Sequence, residues 1–141
     1  MSKLVVYTDG GARGNPGPAA IGVAFGPSTG SGQARSYSEA IGVATNNVAE
    51  YRAVIFALKK AKQLLGKERA KKTAVEVRSD SELVVKQQRG EYQVKEEGLV
   101  PLFVEAWNLR QEFKSVSFTV VRREENTEAD ALVNRALDTL L

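Results

Sequence analysis

Four acidic side chains are spaced along the chain so that their carboxylates can meet in one place: Asp9, Glu50, Asp80 and Asp130. Asp9 and Asp80 each close a predicted strand. If those strands are parallel neighbours, both carboxylates emerge at the carboxyl edge of the sheet, where open α/β sheets bind ligands. Glu50 and Asp130 each lie in the first turn of a predicted helix that begins on that side. The spacing therefore predicts a cluster of four carboxylates.

Such a cluster has a definite chemistry. Four converging carboxylates repel one another strongly unless positive charge lies between them. Divalent cations supply that charge, and two of them about 3.5–4 Å apart can hold the attacking water and the leaving oxygen of a phosphodiester displacement. Coordination also lowers the pKa of the water, so no protein base is needed to activate it. The cluster thus predicts a two-metal phosphodiesterase site.

Each acidic residue also has an ordinary structural explanation. Asp9 precedes Gly10 and Gly11 and could be a turn residue. Glu50 and Asp130 could complement the positive ends of their helices. Asp80 stands between two serines and could be a helix cap. Each explanation accounts for one residue by itself, but none explains why all four acids are predicted at the same edge of the sheet.

The composition narrows the choice of metal. The chain has no histidine and no cysteine, which excludes disulfides, thiolate sites and a histidine base. A metal must then be bound by oxygen, which favours Mg²⁺ or Mn²⁺ over zinc. A formal net charge of +3 is mildly favourable to a nucleic-acid partner.

The length and hydropathy predict a single domain over residues 1–141, because one core of ordinary size suits such a chain. No apolar run is long enough to cross a bilayer. The first residues run directly into a predicted strand, without the charged, apolar and cleavage regions of a signal peptide. We therefore expect a cytoplasmic protein with no membrane partner, and a monomer.

Periodicity and turn residues predict the elements that carry these side chains. Strands are expected at 5–8, 21–25, 33–41, 74–78 and 116–121, with a stiff turn at 10–18 and a Gly- and Ser-rich turn at 26–32. Helices are expected from a cap at Thr45, Asn46 or Asn47 to about Leu65, at 82–88, at 99–113, and from a cap at Asn126 to about Leu140. Strand–helix–strand units imply parallel pairing of the later strands with the first. The prediction is an α/β fold with a mixed five-stranded sheet, three antiparallel strands followed by parallel ones, flanked by helices.

Four segments of the chain carry a family resemblance. They are Tyr7-Thr8-Asp9-Gly10-Gly11 with Gly14-Asn15-Pro16-Gly17-Pro18, Thr45-Asn46-Asn47-Val48-Ala49-Glu50, Ser79-Asp80-Ser81, and Glu125-Asn126-Thr127-Glu128-Ala129-Asp130-Ala131-Leu132. In order and spacing they resemble the motifs of ribonuclease H type 1, over nearly the whole chain. The resemblance implies the ribonuclease H-like fold and two-metal, endonucleolytic hydrolysis of the RNA strand of RNA–DNA hybrids, leaving 5′-phosphate and 3′-hydroxyl ends.

The resemblance also implies roles for individual residues. Asp9, Glu50, Asp80 and Asp130 would be the catalytic metal ligands, with Glu50 near the RNA strand. Asn15, Thr45, Asn46 and Asn47 would contact the substrate at the 2′-hydroxyls and the DNA backbone, a task that suits amides and hydroxyls. Turn and cap chemistry is the alternative for these four residues, and the two roles can coexist.

The chain departs from the family pattern in two places. The histidine that many members carry before the last helix is absent, and its position falls near Val120. We hypothesise that Arg122 or Arg123 contacts the scissile phosphate instead; a solvated loop arginine is an equally good explanation. The segment 89–98 is also too short for the basic protrusion of some members, so we expect weaker binding of the hybrid than in those members.

A basic run at 59–72 is predicted to be a solvated face, because the helix rises about 1.5 Å per residue and its far end lies about 25 Å from the site near Glu50.

The main alternative function is a non-catalytic module of the same fold that binds hybrids or duplex RNA, but all four carboxylates are present. A dinucleotide-binding oxidoreductase does not fit, since the glycines lack the G-x-G-x-x-G spacing. A transposase-like DNA nuclease would normally need further domains.

Overall fold

The structure is a computed structural model that describes residues 2–26 and 35–140. Residues 27–32 of the predicted Gly- and Ser-rich turn lie outside the described residues. The first two residues of the predicted third strand lie outside them as well.

Five strands and five α-helices make up the described part of the chain. The strands are β1 (Ser2–Ala12), β2 (Gly17–Phe25), β3 (Arg35–Ala44), β4 (Thr73–Ser79) and β5 (Ser115–Val120). The helices are α1 (Asn46–Leu65), α2 (Lys67–Lys71), α3 (Glu82–Gln88), α4 (Val100–Arg110) and α5 (Thr127–Asp138), with 3₁₀ turns at Glu97–Leu99 and Arg123–Glu125. No helix among these residues is long and apolar enough to span a membrane.

The strands form one mixed sheet in the order β3-β2-β1-β4-β5. β2 pairs antiparallel with both β1 and β3. β4 pairs parallel with both β1 and β5. The predicted fold class, with three antiparallel strands followed by parallel ones, is confirmed.

Helices cover both faces of the sheet, as two neighbouring glycines of β1 show. A Cβ on Gly10 would collide with the backbone of Ala49 in α1, whereas a Cβ on Gly11 would lie 3.6 Å from the Val133 side chain in α5. Successive residues of a strand face opposite sides, so α1 and α5 lie on opposite faces. The main core, which includes Tyr51 and Leu58, is on the α1 side; a smaller cluster of Ala20, Val133, Ala136 and Leu137 lies under α5.

The turn between the first two strands is shorter than predicted. β1 continues to Ala12 and β2 begins at Gly17, because the antiparallel pairing extends from Val6–Phe25 to Ala12–Ala19. The prediction that Asp9 closes the first strand is therefore wrong. Asp9 lies inside β1, and pairing with β2 holds the three residues after it in extended form.

Two helix predictions also need correction. The helix expected at 99–113 begins at Val100 and ends at Arg110, and Phe113 is buried just beyond the helix end. Phe113 is apolar because it packs in the core, and it was wrongly included in the helical repeat. The short helix α2 was not predicted; it buries only Ala70, so its sequence carries almost no periodic signal.

The helix caps agree with the prediction at one position and differ at another. Thr45 is the N-cap of α1, and its hydroxyl accepts from the Val48 N–H at 3.2 Å. Asn126 stands at the N-cap position of α5, but its side chain makes no capping hydrogen bond. Instead its amide donates to the Thr8 carbonyl at 2.9 Å. The predicted capping role of Asn126 is therefore wrong.

Candidate active site

Parallel pairing of β1 with β4 brings two carboxylates together. Thr8 is in register with Ser79, so the next residues, Asp9 and Asp80, emerge side by side at the carboxyl edge. The Asp9 residue is 7% exposed. The predicted meeting of these two acids follows from strand pairing alone.

Glu50 reaches the same place from α1. It is the fifth residue of a helix that begins at Asn46, so it lies just past the first turn in which it was predicted. The Gly10 N–H donates to Glu50 Oε1 at 3.0 Å. A side chain at position 10 would collide with the backbone of Ala49; glycine there lets α1 approach β1 closely enough for that bond.

The four predicted acids share one cleft. Carboxylate oxygens of Asp9, Glu50 and Asp80 lie within 4.8 Å of one another. Asp130 lies in the first turn of α5, as predicted, and lines the same cleft. Among the residues that the structure describes, the acids with oxygens within 4.8 Å of one another do not include Asp130.

Burial and mutual repulsion perturb these acids. Burial, followed by the charges of Asp80 and Asp130, raises the pKa of Asp9 to about 7. Burial and the charges of Asp9 and Asp80 hold the pKa of Glu50 well above its ordinary value, although the Gly10 N–H partly opposes this. Burial also raises the pKa of Asp80, against the Arg123 guanidinium and the Asn126 amide. The protein supplies too little positive charge for three ionised acids, and a bound cation would supply it.

Two asparagines that were not predicted as site residues contact the acids. Asn126 is 1% exposed, and besides bonding the Thr8 carbonyl, its side chain hydrogen-bonds to Asp80. The Asn134 amide donates to the carbonyl and to Oδ2 of Asp130, at 3.2 and 3.4 Å. The i,i+4 spacing of Asp130 and Asn134 on a predicted helix could have revealed the second contact; nothing local could have revealed the first.

The predicted substrate-contact residues gather beside the cleft. Asn15 Oδ1 accepts from the Asn46 N–H at 2.9 Å, and Asn46 Oδ1 accepts from the Ala12 N–H at 2.9 Å. These bonds tie the β1–β2 turn to the start of α1. Asn46 lines the cleft, Thr45 caps the helix, and Asn47 follows in the first turn, half-buried. The turn and cap functions of Asn15, Thr45 and Asn46 are therefore present in the structure.

The two loop arginines differ in position. Arg123 lines the cleft, and its positive charge partly opposes the rise in the pKa of Glu50 and of Asp80. The Arg122 side chain is 84% exposed and lies 3.8 Å from Glu125, outside the cleft lining. Of the two candidates, only Arg123 faces the acids.

The basic run at 59–72 lies on α1 and α2, away from the residues that line the cleft. Lys59 and Lys62 form ion pairs with Glu105 and Glu112. Lys60 lies over the ring of Tyr37, 4.9 Å from its centroid. Several of these charges thus serve packing between α1, β3 and α4.

Comparison with known proteins assigns the family. A family model described as reverse transcriptase-like matches residues 7–136. A ribonuclease HI from Halobacterium salinarum is 42% identical over 136 residues, covering 96% of this chain and 65% of the relative. The crystal structure of a ribonuclease H1, LC11, in complex with an RNA/DNA hybrid superposes with a TM-score of 0.89 at 43% identity, covering 97% of this chain and 98% of that one. The chain belongs to the ribonuclease H type 1 family.

Some relatives in the family are longer proteins. A bifunctional protein from Mycobacterium tuberculosis is 43% identical over 136 residues, covering 96% of this chain. The chain spans 36% of that protein's length and 65% of the halobacterial ribonuclease HI. The shared part in each case includes nearly the whole of this chain.

Proposed function

We propose that this ribonuclease H domain hydrolyses the RNA strand of RNA–DNA hybrids endonucleolytically. The observation that carries the proposal is the convergence of Asp9, Glu50 and Asp80 within 4.8 Å, with Asp130 in the same cleft. Membership of the family and the hybrid bound by the LC11 enzyme support the choice of substrate. We further infer that the single domain acts as a monomer, since all four acids come from one chain, and that it works in the cytoplasm.

The acids fit a pair of divalent ions, Mg²⁺ or Mn²⁺. All four ligands offer oxygen, which these ions prefer. Burial, and then the charges of neighbouring acids, raise the pKa values of Asp9 and Glu50, and bound cations would offset both effects. When bound, such ions would activate the attacking water and stabilise the leaving oxygen; the 5′-phosphate and 3′-hydroxyl products are those that family membership implies. Asp9, Glu50, Asp80 and Asp130 would hold them.

Neighbouring groups of the chain keep the acids in place. The Gly10 N–H fixes one oxygen of Glu50, the Asn126 amide bonds Asp80, and the Asn134 amide bonds Asp130. Hydrogen bonds of this kind orient a carboxylate and favour its ionised form. The acids are therefore held in a fixed geometry before substrate arrives.

The residues beside the cleft would bind the hybrid. Asn15 and Asn46 use their side-chain oxygens within the protein, so their NH₂ groups can donate to 2′-hydroxyls or phosphates. Thr45 and Asn47 lie in the same helix start. Arg123, rather than Arg122, would contact the scissile phosphate, because only its side chain lines the cleft.

The segment that replaces the basic protrusion contributes little positive charge. Within residues 89–98, Arg89 pairs with Glu91 at 2.9 Å, and Lys95 is followed directly by Glu96 and Glu97. We therefore propose that the domain binds hybrids more weakly than family members with the protrusion.

The test is cleavage of an end-labelled RNA–DNA hybrid, with DNA and RNA duplexes of the same sequence, in Mg²⁺, Mn²⁺ or EDTA. We expect metal-dependent cutting of the RNA strand of the hybrid and none in EDTA. Asp80→Asn should abolish cutting, whereas Glu39→Gln, an exposed acid on β3, should leave it unchanged. A folded protein that binds hybrid but cuts nothing in either metal would instead be the non-catalytic module.

A further inference from the structure

The cleft continues past the four acids. It has a volume of about 350 Å³ and is lined on one side by residues of β1 and on the other by residues of α5. Gly11 and Ala12 of β1 and the mostly buried Val133 and Leu137 of α5 line it. Arg13, the residue after β1, also lines it. None of these residues takes part in the function proposed above.

The length of this extension follows from the two elements beside it. Asp9 and Arg13 are four residues apart along extended chain, about 13 Å. Asp130 and Asp138 are eight residues apart along α5, about 12 Å. Arg13 Nη2 and Asp138 Oδ1 lie 2.7 Å apart. The extension therefore has the acids at one end and an Arg13–Asp138 ion pair at the other.

Arg13 is placed on a well-anchored turn. Its N–H donates to the Pro18 carbonyl at 2.8 Å. On either side of it, the Ala12 N–H bonds Asn46 and the Asn15 side chain accepts from the Asn46 N–H, both at 2.9 Å. The backbone position of Arg13 is thus fixed relative to α1 and to the cleft.

The ion pair leaves Arg13 available to a ligand. The side chains of Arg13 and Asp138 are 44% and 63% exposed, and exposed pairs of this kind contribute little stability. A guanidinium carries five N–H donors, and the contact with Asp138 engages Nη2. The remaining donors match the oxygens of a phosphate.

We propose that Arg13 binds a backbone phosphate of the cut strand that flanks the scissile phosphate, and that Asp138 competes for the same guanidinium. This inference rests on the proposed function. At about 13 Å from Asp9, Arg13 is too distant to contact the phosphate at the acids, but it lies along the same cleft.

The test measures hybrid binding over a range of salt concentrations, in Mg²⁺, with Asp80→Asn as the background to prevent cutting. Arg13→Ala should raise the Kd about fivefold and reduce the slope of log K against log salt by about 1, as expected for one lost phosphate contact. Asp138→Asn should lower the Kd, because the competing carboxylate is gone. That gain should vanish when Arg13→Ala is also present.

Chemical changes in the substrate locate the contact. Neutral methylphosphonate linkages are placed one at a time on either side of the scissile position. At one of them the effect of Arg13→Ala should disappear, because the phosphate charge is already absent. Arg122→Ala, an exposed arginine outside the cleft lining, is the matched control and should leave the Kd within twofold.

Two results would overturn the inference. One is an unchanged Kd and salt slope in Arg13→Ala. The other is an equal rise in Kd for Arg13→Ala and Asp138→Asn, which would mean that the ion pair only stabilises the turn. Cutting by the unaltered protein is measured alongside: if it cuts hybrid normally, either result refutes the role of Arg13 alone. If it neither binds nor cuts hybrid, the proposed function fails too.

Discussion

Replacing Asp9 with asparagine should stabilise the metal-free protein at neutral pH. Burial and neighbouring charges raise the pKa of Asp9 from 3.8 to about 7, so the folded state holds an ionised Asp9 only at a cost. That difference in pKa corresponds to a ceiling of about 4 kcal/mol. The other acids share the repulsion and adjust when one is removed, so we expect a gain of about 2 kcal/mol.

The gain should depend on pH in a definite direction. Because the pKa of Asp9 is raised in the folded state, the folded protein binds more protons than the unfolded chain between about pH 4 and pH 7. Its stability therefore falls as the pH rises through that range. Asparagine does not titrate, so the advantage of Asp9→Asn should be small near pH 4 and largest above pH 7.

Urea unfolding in EDTA, followed by circular dichroism at several pH values, measures this effect. Glu39→Gln is the control, because it removes an exposed carboxylate and should change the stability by less than about 0.5 kcal/mol at every pH. Mg²⁺ should stabilise the unaltered protein more than Asp9→Asn. A loss of stability in Asp9→Asn at pH 7, or a gain of equal size at pH 4, would refute the reasoning.

Three further substitutions test the geometry of the site. Gly10→Ala should lower the stability by about 2–4 kcal/mol and remove most of the cutting activity, since the added Cβ collides with Ala49. Gly98→Ala is the control: its Cβ meets nothing within 4 Å, so this variant should have the melting temperature of the unaltered protein. Arg123→Ala should lower kcat about ten- to hundredfold and Arg122→Ala should not; equal rates in both would remove the arginine from the mechanism. Asn134→Ala should raise the Mg²⁺ concentration for half-maximal rate about tenfold, and an unchanged titration would contradict its orienting role.

The sequence predicted the sheet and the convergence of the acids, because both follow from rules that act over short stretches. Hydrophobic runs mark the strands, and the helical connection from β3 to β4 returns the chain so that β4 runs parallel to β1. Once those strands are neighbours, Asp9 and Asp80 must meet. The meeting of these two acids could thus be predicted without knowing any distance between them.

The sequence misassigned features that depend on contacts between distant segments. Gly10 was assigned to a turn, but its lack of a side chain serves the approach of α1 to β1. Asn126 was assigned to a cap, but its side chain turns inward to Thr8 and Asp80. Turn propensity and cap preference depend only on residues that are close together in the sequence. They contain no information about a partner more than a hundred residues away.

The hydrogen bond between Asn126 and Thr8 joins residues that are 118 positions apart, and this has a consequence for the order of folding. Contacts that close so long a loop form late, after local structure has offset their entropic cost. Asp130 comes into the cleft only with the helix that follows Asn126. The four acids therefore share one cleft only when α5 is docked on the sheet.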